Sequence, residues 1–176
     1  MCSSDLQKRF FIAALPRSRT AWLSQLFSTG EVSCLHDGLN TYPNRVRLSQ
    51  AMSGGKAFYG NADTGLMYTK FQEWFDAPTV IIRRDPREVI DSLFRVFGEH
   101  PGLVPLVLDM DEQLDRVEGL VIPFEEINDR LPEIWSHCVD TDYDSLRGEN
   151  MKKMKIETLD IYGDLNSYRE VMSCRG

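Results

Sequence analysis

The amino-acid sequence predicts an α/β protein: a three-layer α/β/α arrangement around a mostly parallel central sheet. Short runs of branched and aromatic residues alternate along the chain with amphipathic, helix-like segments. The runs are apolar throughout rather than at every second residue, so both faces of each strand are expected to be buried. Strands of this kind are typical of parallel sheets that helices cover on both sides.

Five apolar runs are the predicted strands, and four segments between them are the predicted helices. The strands are Phe10–Leu15, Val32–Leu35, Ala57–Tyr59, Thr79–Ile82 and Leu120–Ile122. The helices are Thr20–Phe27, Asn44–Met52, Leu66–Phe75 and Pro86–Phe97. Asp85 is suited to cap the fourth helix, and Pro86 fits its first turn. Residues 1–176 are predicted to form a single domain with a less regular C-terminal third from about residue 99, in which the charged tail is a candidate for further helices.

The composition limits the class of function. The chain has 176 residues, 42% hydrophobic and 27% charged, with a net charge of −7. This balance indicates a globular protein and argues against a general binder of nucleic acid or membrane surfaces. The four cysteines are scattered without CxxC spacing, and neither a signal peptide nor a long apolar span is recognisable. We therefore expect a cytoplasmic protein with reduced thiols, in which Cys34 is a small core side chain.

Arginines cluster where two of the predicted strands end. Pro16-Arg17-Ser18-Arg19-Thr20 follows the first strand, and Arg83-Arg84-Asp85-Pro86 follows the fourth. Ligands bind beyond the carboxyl ends of the strands in open parallel sheets. Because the protein as a whole is acidic, this clustering predicts a concentrated anion site at that edge.

The first of these segments has the chemistry of a phosphate or sulfate site. A helix that starts near Ser18 to Thr20 directs free N–H groups and a partial positive charge into the turn. The two hydroxyls add hydrogen bonds, and Arg17 adds a charge-assisted contact. The alternative is a serine cap with two solvated arginines. The second segment, taken alone, is equally consistent with a capped amphipathic helix.

Together, the two segments resemble the sulfotransferase family, which transfers a sulfuryl group from 3′-phosphoadenosine 5′-phosphosulfate (PAPS). The family's first motif, P-[KR]-S-G-T-T-W, corresponds here to Pro16-Arg17-Ser18-Arg19-Thr20-Ala21-Trp22. Its second motif, R-N-P-x-[DE]-x-x-x-S, corresponds to Arg84-Asp85-Pro86-Arg87-Glu88-Val89-Ile90-Asp91-Ser92. The resemblance covers roughly residues 8–98. It implies a P-loop NTPase-like sulfotransferase fold, although the Walker pattern GxxxxGK[ST] is absent, and it implies PAPS or its product PAP as the cofactor.

The resemblance also implies roles for particular residues. In the family, the first motif cradles the 5′-phosphosulfate, and the Arg and Ser of the second motif bind the 3′-phosphate. The implied donor-binding residues are Arg17, Ser18, Arg19, Thr20, Ala21, Trp22, Arg84 and Ser92. Arg17 is also expected to take part in catalysis by stabilising charge on the leaving phosphate. No metal is expected on this interpretation.

Two departures from the family pattern lie in the first motif. Arg19 replaces the usual glycine, and Ala21 replaces a hydroxyl residue. We expect the backbone to be helical by residue 19, so that no positive φ is needed there. The Arg19 side chain then either adds charge to the site, which we prefer, or points into solvent. The family's Gly-rich C-terminal segment is not recognisable in this sequence. We interpret Lys152, Lys153 and Lys155 as a solvated charge run. The alternative is that these lysines replace the Gly-rich segment.

Transfer to an acceptor requires a base that removes the acceptor's proton. His36-Asp37 follows the second strand, where related sulfotransferases often have a His or an acidic residue. We prefer Asp37 as the base with His36 beside it; the alternative is a structural histidine and a turn cap. Asp63 is a third candidate, for which capping the next helix is the preferred interpretation.

The sequence thus predicts a PAPS-dependent sulfotransferase that acts on a hydroxyl or amine of a small-molecule or saccharide acceptor. One alternative is a P-loop-type kinase for a nucleotide or small molecule. Another is a non-catalytic nucleotide-binding or scaffold protein with the same fold. Neither nucleic acid nor membrane is an expected partner.

Overall fold

The computed structural model describes residues 8–156, and its centre is a five-stranded, all-parallel sheet in the order β2-β3-β1-β4-β5. The strands are β1 Lys8–Ala14, β2 Val32–His36, β3 Phe58–Asp63, β4 Thr79–Arg83 and β5 Leu120–Pro123. All five lie where the sequence predicts strands. The fold class is therefore confirmed.

Eight helices accompany the strands within the described residues. They are α1 Thr20–Phe27, α2 Gly38–Thr41, α3 Arg45–Ala51, α4 Phe71–Trp74, α5 Pro86–Phe97, α6 Leu103–Leu114, α7 Leu131–Cys138 and α8 Ser145–Lys152. The bounds of α1 and α5 are those predicted. The Asp85 side chain accepts a hydrogen bond from the Arg87 N–H, which confirms the predicted cap of α5.

Side chains alternate between the two faces of the sheet and produce two separate cores. Phe10 and Ile12 of β1 pack with residues of α1, α7 and α8 on one face. Phe11 and Ala13 pack with residues of α3, α4, α5 and α6 on the other face. Because both faces are covered, β1 is apolar and buried from Phe10 to Ala14. This confirms the three-layer arrangement.

Strand β3 is longer than predicted at its carboxyl end. The sequence predicts a strand over Ala57–Tyr59 followed by a loop, whereas β3 runs on to Asp63 with every residue buried. Gly60 is needed there, because a Cβ at this position would overlap the Phe10 ring. Asn61 and Asp63 are polar and fully buried because their side chains bond to the neighbouring loop.

The helix predicted over Leu66–Phe75 is divided into two pieces. A 3₁₀ turn spans Leu66–Tyr68, and α4 begins at Phe71. Thr69 between them is extended, with φ −117° and ψ 169°, and its hydroxyl donates to the Leu66 carbonyl at 2.9 Å. A local side-chain bond of this kind competes with the helical backbone bonds. The prediction of one continuous helix was wrong for this reason.

The region beyond Gly98 contains one strand and three helices within the described residues. The helix α8 lies in the charged tail where the sequence indicates helices. Cys34 and Cys138 are free and buried, and burial raises the pKa of both thiols; the other two cysteines, Cys2 and Cys174, lie outside the described residues. Between residues 8 and 156, no helix is both long enough and apolar enough to cross a membrane.

Replacing Gly60 with alanine is expected to destabilise the protein. The new methyl group would overlap the Phe10 ring, which is buried and has little room to move. Overpacking of this kind typically costs about 1–3 kcal/mol in the free energy of unfolding. Denaturant unfolding measures the loss, and Gly55→Ala is the control because a methyl group there would enter open space. Equal stability of the two variants would contradict the packing described.

Candidate functional site

The turn between β1 and α1 has the backbone geometry of an anion-binding loop. Arg17 and Arg19 adopt positive φ values of 62° and 64°, whereas Ser18 between them does not. An alternation of this kind directs successive N–H groups into one concavity, as in backbone nests. Ser18 is fully buried, and Thr20 begins α1. The turn therefore combines two hydroxyls with the N–H groups of the first helical turn, which have no partner within the helix.

The backbone of Arg19 differs from the prediction. Arg19 is the N-cap of α1 and is left-handed, with φ 64° and ψ 22°, so the expectation of a helical backbone there was wrong. The physical reason is the short connection, which reverses direction between the end of β1 at Ala14 and the first residue of α1 at Thr20. A left-handed residue other than glycine costs about 1–2 kcal/mol.

The two arginine-rich segments meet at the carboxyl edge of the sheet. The Arg17 Nε donates a hydrogen bond to the Ser92 Oγ at 3.2 Å, and the Arg84 Nη1 donates to the Arg17 carbonyl. They meet because β1 and β4 are adjacent and parallel, with Ala14 paired to Ile82. The structure thus brings together three of the residues that the resemblance assigns to the two ends of the donor.

Arg84 and its neighbour Arg83 point into different surroundings. The Arg84 guanidinium lies 4.2 Å from the centre of the Phe124 ring, and its Nε is 3.4 Å from the Glu88 carboxylate. Arg83 is instead paired with Asp111 of α6, at 3.0 Å, and with Asp115. Only Arg84 is part of the cluster around Arg17, in keeping with its selection from the sequence.

Arg19 lies across the face of Trp22. Its Cζ is 4.0 Å from the centre of the Trp22 ring, and its Nη1 donates to the Asn128 Oδ1 at 2.8 Å. Burial lowers the pKa of the Arg19 guanidinium from its ordinary value. The side chain is therefore held against the protein and does not extend freely into solvent.

A cavity of about 360 Å³ adjoins the turn. Its lining residues are Arg17, Arg19, Thr20, Ala21, Trp22, Lys152, Lys153, Met154, Lys155 and Ile156. Within the described part of the chain, this lining contains five cationic side chains and no acidic one. A cavity of this size and charge suits a small polyanion.

The lysines Lys152, Lys153 and Lys155 have features of both interpretations that the sequence allows. They are exposed, as a charge run would be, yet they also line the cavity. The helix α8 places them there: the Trp22 Nε1 donates to the Met151 carbonyl at 2.9 Å, and the Arg147 Nε donates to the Leu26 carbonyl of α1 at 3.0 Å. Contacts between residues so far apart in the chain leave no local pattern in the sequence.

His36 and Asp37 lie at the same edge of the sheet: His36 is the last residue of β2, and Asp37 follows it. The Asp37 backbone is left-handed with φ 46°, and its Oδ1 accepts a hydrogen bond from the Thr64 N–H at 3.1 Å. Its Oδ2 is 3.6 Å from the His36 Nε2, and both side chains are buried. Burial lowers the pKa of His36 to about 4, an effect that nearby Asp63 partly opposes. The imidazole is therefore neutral near pH 7, and burial disfavours its protonated form.

Asp63 connects two loops. Its Oδ2 accepts a hydrogen bond from the Leu39 N–H at 2.8 Å, and its Oδ1 accepts one from the Gly65 N–H at 2.7 Å. The Asn61 Oδ1 accepts from the Gly38 N–H in the same way, at 3.0 Å. The loops after β2 and β3 are therefore fixed to each other beside His36 and Asp37. The capping role that we preferred for Asp63 was wrong, because the next helical turn, Leu66–Tyr68, has Gly65 as its N-cap and receives no side-chain cap hydrogen bond.

Comparisons with known proteins support the fold. No protein-family model and no curated protein matches the chain. Among solved structures, it is similar to the crystal structure of the mouse sulfotransferase SULT7A1 complexed with PAP, with a TM-score of 0.54 and 13% sequence identity. The match covers 82% of this chain and 62% of that chain. The chain therefore has a sulfotransferase-like fold and spans less than two thirds of that structure.

Proposed function

We propose that the chain is a sulfotransferase that moves a sulfuryl group from PAPS to a hydroxyl or amine of a small acceptor. The observation that carries the proposal is the pair of hydrogen bonds from Arg17 to Ser92 and from Arg84 to the Arg17 carbonyl. Through them, residues that match two separate family motifs form one cationic cluster. The similarity to a sulfotransferase complexed with PAP supports the same ligand chemistry.

The donor site is divided between the two motifs. The N–H groups of the turn, the hydroxyls of Ser18 and Thr20, and Arg17 hold the 5′-phosphosulfate. Arg84 and Ser92 hold the 3′-phosphate. When it is bound, PAPS supplies an activated sulfuryl group whose leaving group is a phosphate. Arg17 and the turn stabilise the charge that grows on that phosphate, for which preorganised donors are typically worth about 3–4 kcal/mol each.

Ala21, Trp22 and the C-terminal lysines line the cavity that Arg17 and Thr20 also line. Lys152 also pairs with Glu149 of α8 at 2.7 Å, which helps to hold it at the rim. We propose that these lysines take the place of the Gly-rich segment that the sequence lacks.

The acceptor side uses the pair His36 and Asp37. A hydroxyl or amine that attacks sulfur loses a proton, and a buried base near the strand ends accepts it. We propose Asp37 as that base, which takes up the proton on its carboxylate, with the neutral His36 beside it. The loop contacts of Asp63 and Asn61 fix the position of this pair.

PAP is expected to stabilise the wild-type protein, whereas ATP with magnesium is not. A ligand at 100 times its dissociation constant adds about 2.7 kcal/mol to the free energy of unfolding, which corresponds to a shift of roughly 5–10 °C for a chain of this size. Differential scanning fluorimetry measures the shift. Stabilisation by ATP with magnesium but not by PAP would contradict the proposal and favour a kinase.

A second candidate is a nucleotide-binding protein without turnover. One observation favours it: the carboxylates of Asp37 and Asp63 both accept hydrogen bonds from loop N–H groups. Both would then be structural. Transfer of labelled sulfate from PAPS to any acceptor excludes this candidate, whereas PAP binding without transfer across a broad panel of alcohols, phenols, sugars and amines supports it.

A further inference from the structure

Trp22 offers almost no ring surface to a ligand. The residue is 2% exposed although it lines the cavity. One face of its ring is covered by the Arg19 guanidinium, whose Cζ is 4.0 Å from the ring centre. The rest of the side chain packs in the core beneath α1, and its Nε1 donates to the Met151 carbonyl. A planar group that enters the cavity therefore meets Arg19 before it can reach the indole ring.

Arg19 is held in this position by contacts on several sides. The hydrogen bond to Asn128 directs the guanidinium, and the left-handed backbone of Arg19 sets the direction in which its side chain leaves the turn. Guanidinium groups are planar and stack on aromatic rings, whereas an ammonium group does not. The arrangement is thus a stacking surface with a positive charge.

We propose that Arg19 is a specificity-determining residue that stacks on the nucleobase, so that the order of the layers is Trp22, Arg19, base. The inference rests on the proposed function, because that function supplies a nucleotide to the cavity. Stacking raises the affinity for a ligand that carries a planar base relative to one that lacks it, and it discriminates little between different bases. The role differs from that of Arg17 and Arg84, which bind phosphate groups.

The test compares two ligands that differ only by the base, AMP and ribose 5-phosphate. Dissociation constants are measured for both with the wild type, Arg19→Lys and Arg19→Gln, by displacement of labelled PAP. In the wild type we expect AMP to bind more tightly than ribose 5-phosphate. In both variants we expect this preference to fall about tenfold, since stacking on a base is worth about that factor and neither a lysine nor a glutamine has the planar guanidinium. Lysine keeps the charge, so it distinguishes stacking from phosphate binding.

Two controls accompany the variants. Arg116→Lys changes an exposed arginine just after α6, where it pairs with Glu112, and should leave the preference for AMP unchanged. Asn128→Ala removes the bond that directs the guanidinium while Asn128 itself is exposed. It should fold normally and lower the preference by a smaller factor, so the proposal remains testable if the Arg19 variants are unstable.

The outcomes separate the inference from the proposed function. An equal loss of affinity for both ligands in Arg19→Gln, with recovery in Arg19→Lys, would show a phosphate contact and overturn the inference. An unchanged preference in both variants would overturn it as well. If the wild type binds no PAP, the proposed function itself fails.

Discussion

Arg84→Ala is expected to abolish most of the preference of the protein for a nucleotide that carries a 3′-phosphate. Loss of a hydrogen bond to a charged group costs about 1.5–3 kcal/mol, so the affinity for PAP should fall by roughly 10- to 150-fold. AMP lacks the 3′-phosphate, and its affinity should change much less. Titration calorimetry with both ligands gives the ratio directly.

The adjacent arginine provides a matched control. Arg83 has the same side chain one position earlier, but its partners are Asp111 and Asp115. Arg83→Ala should leave the ratio of PAP to AMP affinity unchanged, whatever it does to stability. If the two variants lose the 3′-phosphate preference equally, or if the wild type has no such preference, the assignment of Arg84 is wrong.

Asp37→Asn is expected to have the largest effect on turnover. Removal of a general base typically lowers the rate by about two to four powers of ten. The affinity for PAP should stay the same, because Asp37 belongs to the acceptor side. The fold should also persist, since the asparagine Oδ1 can still accept the bond from the Thr64 N–H. Transfer of labelled sulfate at saturating PAPS measures the rate.

Asp63→Asn tests the structural role of Asp63 and is compared with Asp37→Asn. Both Asp63 oxygens accept bonds from backbone N–H groups, at 2.8 Å from Leu39 and 2.7 Å from Gly65. An amide NH₂ in place of one oxygen would face a donor with another donor, so this variant should lose stability. Normal turnover in Asp37→Asn at full stability would place the base elsewhere, with His36 as the next residue to test.

The sequence predicted the sheet well because its signal is local. Each strand contains a continuous apolar run, and the predicted cap Asp85 lies only two residues before Arg87, whose N–H donates to it. The carboxyl half of β3 was missed because Gly60, Asn61 and Asp63 are typical loop residues. They belong to the strand because of Phe10 and the loop after β2, which are distant in sequence.

In the candidate site, too, features with a local signal could be predicted from the sequence, whereas features that depend on distant contacts could not. Arg17 and Arg84 could be selected from their positions after apolar strands, since adjacent parallel strands end at one edge. Ser92 lies within α5 and was selected only through the resemblance to the sulfotransferase family. The positive φ of Arg19 could not be predicted, because propensity alone disfavours it at arginine. The sequence could not decide between the two interpretations of the C-terminal lysines, because their position beside the cavity depends on how α8 packs against α1 through Trp22 and Arg147.

The most direct test of the central claim is a crystal structure of the protein with PAP. The claim is that the two arginine-rich segments bind opposite ends of one nucleotide. We expect the 3′-phosphate within hydrogen-bonding distance of Arg84 and Ser92, and the 5′-phosphate on the N–H groups of residues 17–20. Two results would contradict the claim: PAP bound away from this edge, or PAP bound so that one of its two phosphates contacts neither segment.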